Sequence, residues 1–230
     1  NEHHVLAAEA IWTRYMPMRL TIDAIIKSGI IGTPTSLSAN LGYPLEHKER
    51  MVKLELCGGA LLDLCVYPLN FASMVFGNDI VGISAECIKY KTGVDAQETV
   101  MLKYADGKMA TIYATMLAQS DRRGIINGTN GYIEVENINN PESVKVYNLE
   151  RRVVQEIVAP MQITGYEYEV ISAIDAIMEG RVECPEMPHS ETLFMMKLMD
   201  SIREAWGIKF PEEVEALQSE SKSTDEDETE

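Results

Sequence analysis

Between residues 80 and 158 the chain offers one strand-like segment after another with no helical period between them, and this succession restricts the fold more than any other feature. Residues 80–90, 98–104, 108–117, 123–127, 131–136, 143–147 and 153–158 carry the β-branched, aromatic and alternating patterns of strands, separated by short turns. Asp106-Gly107 is a strong two-residue hairpin signal. Parallel strands need long crossover connections, usually helical, so a run of this kind predicts an antiparallel sheet and excludes βαβ winding. Met109, Thr111, Tyr113 and Thr115 alternate with Ala110, Ile112, Ala114 and Met116, which leaves neither face strongly polar. One face is expected to pack on helices and the other to meet a second subunit. A further strand is expected over 35–43, where Leu37, Ala39 and Leu41 alternate with Ser36, Ser38 and Asn40.

The helices come before and after this run. Pro17 suits a first helical turn, and Leu20, Ile22, Ile25 and Ile26 continue it to Gly29. Residues 166–179 and 189–206 have apolar side chains at helical spacing, the second with Ser190 as the expected N-cap. Residues 57–77, CGGALLDLCVYPLNFASMVFG, read as one helix that is apolar nearly all round and therefore buried. Asp63 and Tyr67 are polar within it, four residues apart and so stacked on one face of a regular helix. Two readings of this pair stay open: a carboxylate and a phenol sharing one substrate oxygen, or an Asp bonded to nearby amides beside a core aromatic. The charged segment 44–56 leads into this helix and could cover its polar face, with Lys48, Arg50 and Lys53 either solvated or one of them reaching an anionic ligand. Trp12 and Arg14 follow an expected strand over 4–10, at the end where α/β proteins bind ligands, or are a packed Trp and a surface Arg.

Composition narrows the functional classes. The net charge of −16 argues against nucleic-acid phosphate as a partner. Half of it lies from Glu212 onward, where nine acidic residues face Lys222 alone; residues 212–230 are expected to be an acidic, disordered tail on a domain spanning 1–211. The four cysteines form no C-x-x-C pair and have no histidine at zinc-ligand spacing, so no metal site is expected, and their apolar neighbours suggest a reducing, cytoplasmic compartment. No run of about 18 apolar residues is free of polar breaks, so no membrane partner is expected. The chain begins at Asn1 and reads as cut from something longer. A strand followed by G-x-G-x-x-G is missing, GIINGTNG at 124–131 having the wrong spacing, as are a P-loop and G-x-S-x-G.

EAIWTRYMP at 9–17, GGALLDLCVYPL at 58–69, TGVDAQETV at 92–100, NGTNGYIEV at 127–135 and MPHSETLFMMKLMDSIREAWG near the end occur in an order that is specific taken together. With them the chain resembles the C-terminal domain of the glucose-fructose oxidoreductase, inositol dehydrogenase and MocA (Gfo/Idh/MocA) family, in the branch of dimeric dihydrodiol dehydrogenase and NADP-dependent D-xylose dehydrogenase. The resemblance implies an α+β fold, an open, mostly antiparallel sheet with helices on one face. It also implies an N-terminal Rossmann domain absent from this sequence, with residues 1–10 as a remnant strand of it. It implies NADP or NAD as cofactor of the full-length protein, a sugar or diol substrate, and a homo-oligomer formed through the open sheet face. By the matching motifs Tyr67 is the proton donor and acceptor, Asp63 its neighbour, and Glu9, Trp12 and Arg14 line the nicotinamide and substrate pocket. A like charge disfavours a phenolate, so Asp63 cannot be what activates Tyr67. A cation from the absent domain is expected to do so, which would leave this chain inactive alone. The alternative class is a non-catalytic assembly or ligand-binding module.

Overall fold

The computed structural model describes residues 3–211 and 213, and shows an eight-stranded sheet with helices on one face. In chain order the strands are β1 (Pro34–Gly42), β2 (Ile80–Lys89), β3 (Asp95–Tyr104), β4 (Met109–Thr115), β5 (Gly124–Gly128), β6 (Gly131–Glu136), β7 (Ser143–Asn148) and β8 (Val153–Val158). They lie side by side as β2-β3-β4-β1-β5-β6-β7-β8. Six neighbouring pairs are antiparallel, and β1 lies parallel to β4 with Leu37 beside Ala110 and Leu41 beside Ala114. The open, mostly antiparallel sheet is thus present, with β1 inserted at its middle.

Alternation along each strand sorts the side chains. Leu37, Leu41, Val100, Leu102, Ile112, Ile126, Ile133, Val135 and Val144 point to the inner face and are buried. Against them pack α1 (Pro17–Lys27), a wide π turn (Leu61–Cys65), α3 (Val66–Phe76) and α5 (His189–Ala205). Leu61, Cys65, Leu69 and Ala72 are fully buried at the centre of this layer. Phe71 reaches β5 only because Gly124 has no side chain there; a Cβ would lie 2.6 Å from the ring. Residues 54–76 are long and apolar enough to span a membrane by composition, but 61% of an apolar 18-residue window within them is buried here.

Several expected elements differ. Residues 57–77 are not one regular helix. Cys57 is left-handed, Gly58 and Gly59 form a turn, and the helix begins on the π turn, where Val66 N–H reaches Leu61 O five residues back. Pro68 has no N–H for the Leu64 carbonyl, and the wide turn makes room for its ring. Segment 44–56 contains a short helix, α2 (Glu49–Val52). Helix α5 begins at His189 with Pro188, not Ser190, in the N-cap position. Residues 4–10 form no strand and are tied by Ala7 N–H to Val182 O and by the His189 ring to Ala7 O. The tail lies outside the described residues apart from Glu213, whose carboxylate accepts from Arg203 Nη1 and Nη2 at 2.6 and 2.5 Å.

One inner-face residue is polar. Glu98 on β3 is 2% exposed, and both its oxygens are buried without a conventional partner. Burial, then the nearby Asp95 charge, push its carboxyl well above the usual range, against a smaller lowering by the Cys65 thiol. The folded state therefore keeps a proton that the unfolded chain loses, so the contribution of Glu98 to stability is full below the unfolded value and lost as pH rises through the folded one. Glu98→Gln is expected to raise the urea midpoint at pH 8 more than at pH 5; an equal shift at both would show that folding does not raise the Glu98 carboxyl.

Candidate active site

The π turn carries Asp63 and the first turn of α3 carries Tyr67, which is half-buried, while the Asp63 side chain is 27% exposed. The turn is held from below. Asp95, 2% exposed, accepts from Leu61 N–H at 2.5 Å, and its Oδ1 lies where a Cβ on Gly59 would be, 2.3 Å away. Gly59 has φ +129, so its position suits glycine on two grounds.

The wide turn changes the relation between Asp63 and Tyr67 from the stacked placement of a regular helix. Both Asp63 oxygens are taken by Arg50 at the start of α2, Nη2 to Oδ2 at 3.1 Å and Nη1 to Oδ1. The guanidinium of Arg50 is held further up by this bond. Of the cations in segment 44–56, Arg50 is the one that reaches the helix; Lys53 pairs with Glu49 and Glu55. No sequence signal marked Arg50 out from Lys48 and Lys53, because the pairing depends on the Gly58-Gly59 turn.

Burial pushes the Tyr67 phenol up to about 12, and Asp63, Tyr166, Glu169 and Tyr43 add to the shift. At neutral pH the group is a proton donor and not a base. Tyr166 and Glu169 come from the N-terminal part of α4 (Glu167–Met178) and its approach, a region without catalytic sequence signal.

The other expected site residues divide. Trp12 is buried and stacks on Tyr166 with centroids 4.4 Å apart, its Nε1–H bonding Asn139 Oδ1 at 3.0 Å. It reaches the Tyr67 surroundings through that ring. Glu9 is half-buried and lines a hollow of about 180 Å³ with Tyr15, Glu169 and Val170. One carboxylate oxygen of Glu9 and one of Glu169 are buried without a partner among the described residues. Arg14 bonds Asn70 (2.6 Å), Ser73 (3.0 Å) and Glu191, and with Glu186 and Glu191 lines a second hollow of about 400 Å³.

Residues 20–134 match the GFO/IDH/MocA C-terminal domain. This chain belongs to that family. Trans-1,2-dihydrobenzene-1,2-diol dehydrogenase of Xenopus laevis is 30% identical over 214 residues, 90% of this chain and 65% of that protein. The Homo sapiens enzyme of the same name is 28% identical over 211 residues, 89% of this chain and 63% of its own length. The chain thus spans under two thirds of these relatives. Among solved structures, a 3-ketoreductase from Actinomadura kijaniata in complex with NADP and TDP-benzene superposes with a TM-score of 0.78 at 20% identity, covering 88% of this chain and 63% of that one. An aldose-aldose oxidoreductase from Caulobacter crescentus complexed with glycerol gives 0.73 at 17% identity, covering 85% and 60%. These two likenesses establish the shared GFO/IDH/MocA C-terminal fold.

Proposed function

We propose that this chain is the substrate-binding lobe of an NAD(P)-dependent oxidoreductase that moves a hydride between the nicotinamide and the carbon bearing a sugar or diol hydroxyl. The observation that carries the reading is the protonated Tyr67 phenol, half-buried beside a neutralised Asp63–Arg50 pair. The described residues suit the reacting end of the cofactor and not its phosphates. The glycine-rich run, Gly124 to Gly131, is a β5–β6 hairpin, and a Cβ at Gly128 or Gly131 would lie 2.1 Å from a backbone oxygen. The phosphates would be held by the part of the relatives that this chain does not cover, and the chain alone would be inactive.

In the reaction NAD(P) supplies or accepts the hydride. Tyr67 donates its proton to the carbonyl oxygen as it becomes a hydroxyl, or takes it back in oxidation. Asp63, paired with Arg50, would orient a substrate hydroxyl through the remaining lone pairs of its carboxylate. Trp12 and Tyr166 wall the site with their stacked rings. The missing lobe would seat on α4, whose Val170, Ile174 and Ile177 are at least half exposed beside the hollow lined by residues 8–10. Four free cysteines fit a cytoplasmic protein. Assay of the natural protein with NADPH and NADH against aldoses and trans-diols or their oxidised forms tests the reading, and cofactor turnover with neither substrate class overturns it.

The outer sheet face carries Ile88, Met101, Met109 and Tyr113 exposed on β2, β3 and β4, and is proposed to seat a second copy. The double substitution Met101→Glu and Tyr113→Glu is expected to shift the natural protein to a smaller species in sedimentation velocity. An unchanged sedimentation coefficient would place the contact elsewhere.

A further inference from the structure

Arg122 stands in the connection from β4 to β5, at the carboxyl ends of β1 and β4. Its backbone is fixed from three sides. The N–H donates to Asn40 Oδ1 at 3.1 Å and Ser120 Oγ at 3.3 Å, the carbonyl accepts from Ile138 N–H at 2.8 Å, and φ is +57. The side chain is aimed as firmly, since Nη1 donates to Tyr43 Oη at 3.0 Å and the guanidinium lies 5.5 Å from the ring centroid. Tyr43 is one of the groups that act on the Tyr67 phenol. The fixed cation is thus bonded to a tyrosine whose charge is felt at the proposed proton donor.

No carboxylate of a described residue lies within ion-pair distance of Arg122, and its Nε is buried without a partner. In a chain of net charge −16 this is unusual. Every other buried or half-buried arginine among the described residues has its acid: Arg14 with Glu191, Arg19 with Asp23, Arg181 with Glu179, Arg203 with Asp200. The adjacent Asp121 is engaged by Asn40 Nδ2 at 2.7 Å and Arg123 N–H at 3.2 Å, and Arg123 itself pairs with Glu134. A planar guanidinium held by one nitrogen and one ring keeps a fork of donors for two oxygens of one anion.

We propose that Arg122, oriented by Tyr43, binds a carboxylate or phosphate carried by the substrate, so that this site takes an anionic sugar in preference to a neutral one. The inference rests on the reading of Tyr67 as the reacting edge of the site.

Isothermal titration of the natural protein with NADP present, using glucose, glucuronate and glucose 6-phosphate as probes, tests it. At least one anion is expected to bind tighter than glucose by about 10- to 100-fold, the range of a charge-assisted bond. Arg122→Gln is expected to remove most of that preference, Arg122→Lys to keep part of it, and added salt to weaken it. Stronger binding of glucuronate identifies a sugar acid, and of glucose 6-phosphate a sugar phosphate. Equal binding of the three probes, binding by neither anion, or an equal loss on all three in Arg122→Gln overturns the proposal. Binding is read without turnover, so these outcomes are separate from failure of the oxidoreductase reading, which shows as absent cofactor turnover.

Discussion

Replacing Tyr67 by Phe in the natural protein is expected to lower kcat by roughly two to four orders of magnitude, the span of general acid–base contributions, while the unfolding midpoint stays close to that of the parent. Phe keeps the ring that packs against the core, so the change isolates the hydroxyl. The pH dependence of the two directions follows from the phenol's position near 12. At pH 7 the phenolate fraction is on the order of 10⁻⁵, so Tyr67 is loaded for donating a proton to a carbonyl and nearly empty as a base. Carbonyl reduction is therefore expected to be nearly independent of pH between 6 and 9. Alcohol oxidation should rise about tenfold per pH unit, unless a cation from the rest of the protein brings the phenol down. If such a cation is present, the oxidation profile bends at the lowered value, and the bend measures its strength. Full activity in Tyr67→Phe would remove the phenol from the mechanism.

The parts of this fold legible in the sequence are those fixed by local period. Residues 131–136 and 153–158 appear as strands where alternation and turn residues placed them, because side chains on a sheet repeat every two residues whatever lies beside them. Strand order carries no such local mark. Strand β1 is separated from the rest by α3 in sequence, yet it enters the sheet between β4 and β5, since Leu37, Ala39 and Leu41 complete the inner face there. The central helix was legible as apolar and buried, but not its π turn, which depends on Asp95 of β3 receiving Leu61 N–H across 34 residues. The same limit applies to the site. Asp63 and Tyr67 stand out as polar residues on an apolar helix. Arg50, Arg122 and Glu169 do not, because each becomes distinctive only through a partner distant in sequence or through lacking one.

Arg14 carries two roles that can be told apart. The resemblance through EAIWTRYMP implies a pocket residue, and its side chain also joins the turn at Trp12–Arg14 to α3 and α5 through Asn70, Ser73 and Glu191. Glu191 is further engaged by Ser73 and by Asn78 Nδ2 at 2.7 Å, and its carboxyl is lowered by the Ser73 and Asn78 hydrogen bonds and the Arg14 charge against the opposing effect of burial. Burial in turn lowers the Arg14 guanidinium, with Glu191 resisting, so each charge is tolerable only because of the other. Arg14→Met keeps the length of the stem and removes the charge, leaving a carboxylate that is 13% exposed and two amide or hydroxyl groups without their donor. The expected cost is about 3–5 kcal/mol, the scale for removing one member of a buried pair. Replacing both charges, Arg14→Met with Glu191→Gln, is expected to recover much of that loss, because an uncompensated charge and not a missing contact dominates it. Urea unfolding of the single and double variants measures the coupling. A single variant that keeps its unfolding midpoint and loses only substrate or cofactor affinity would assign Arg14 to the pocket.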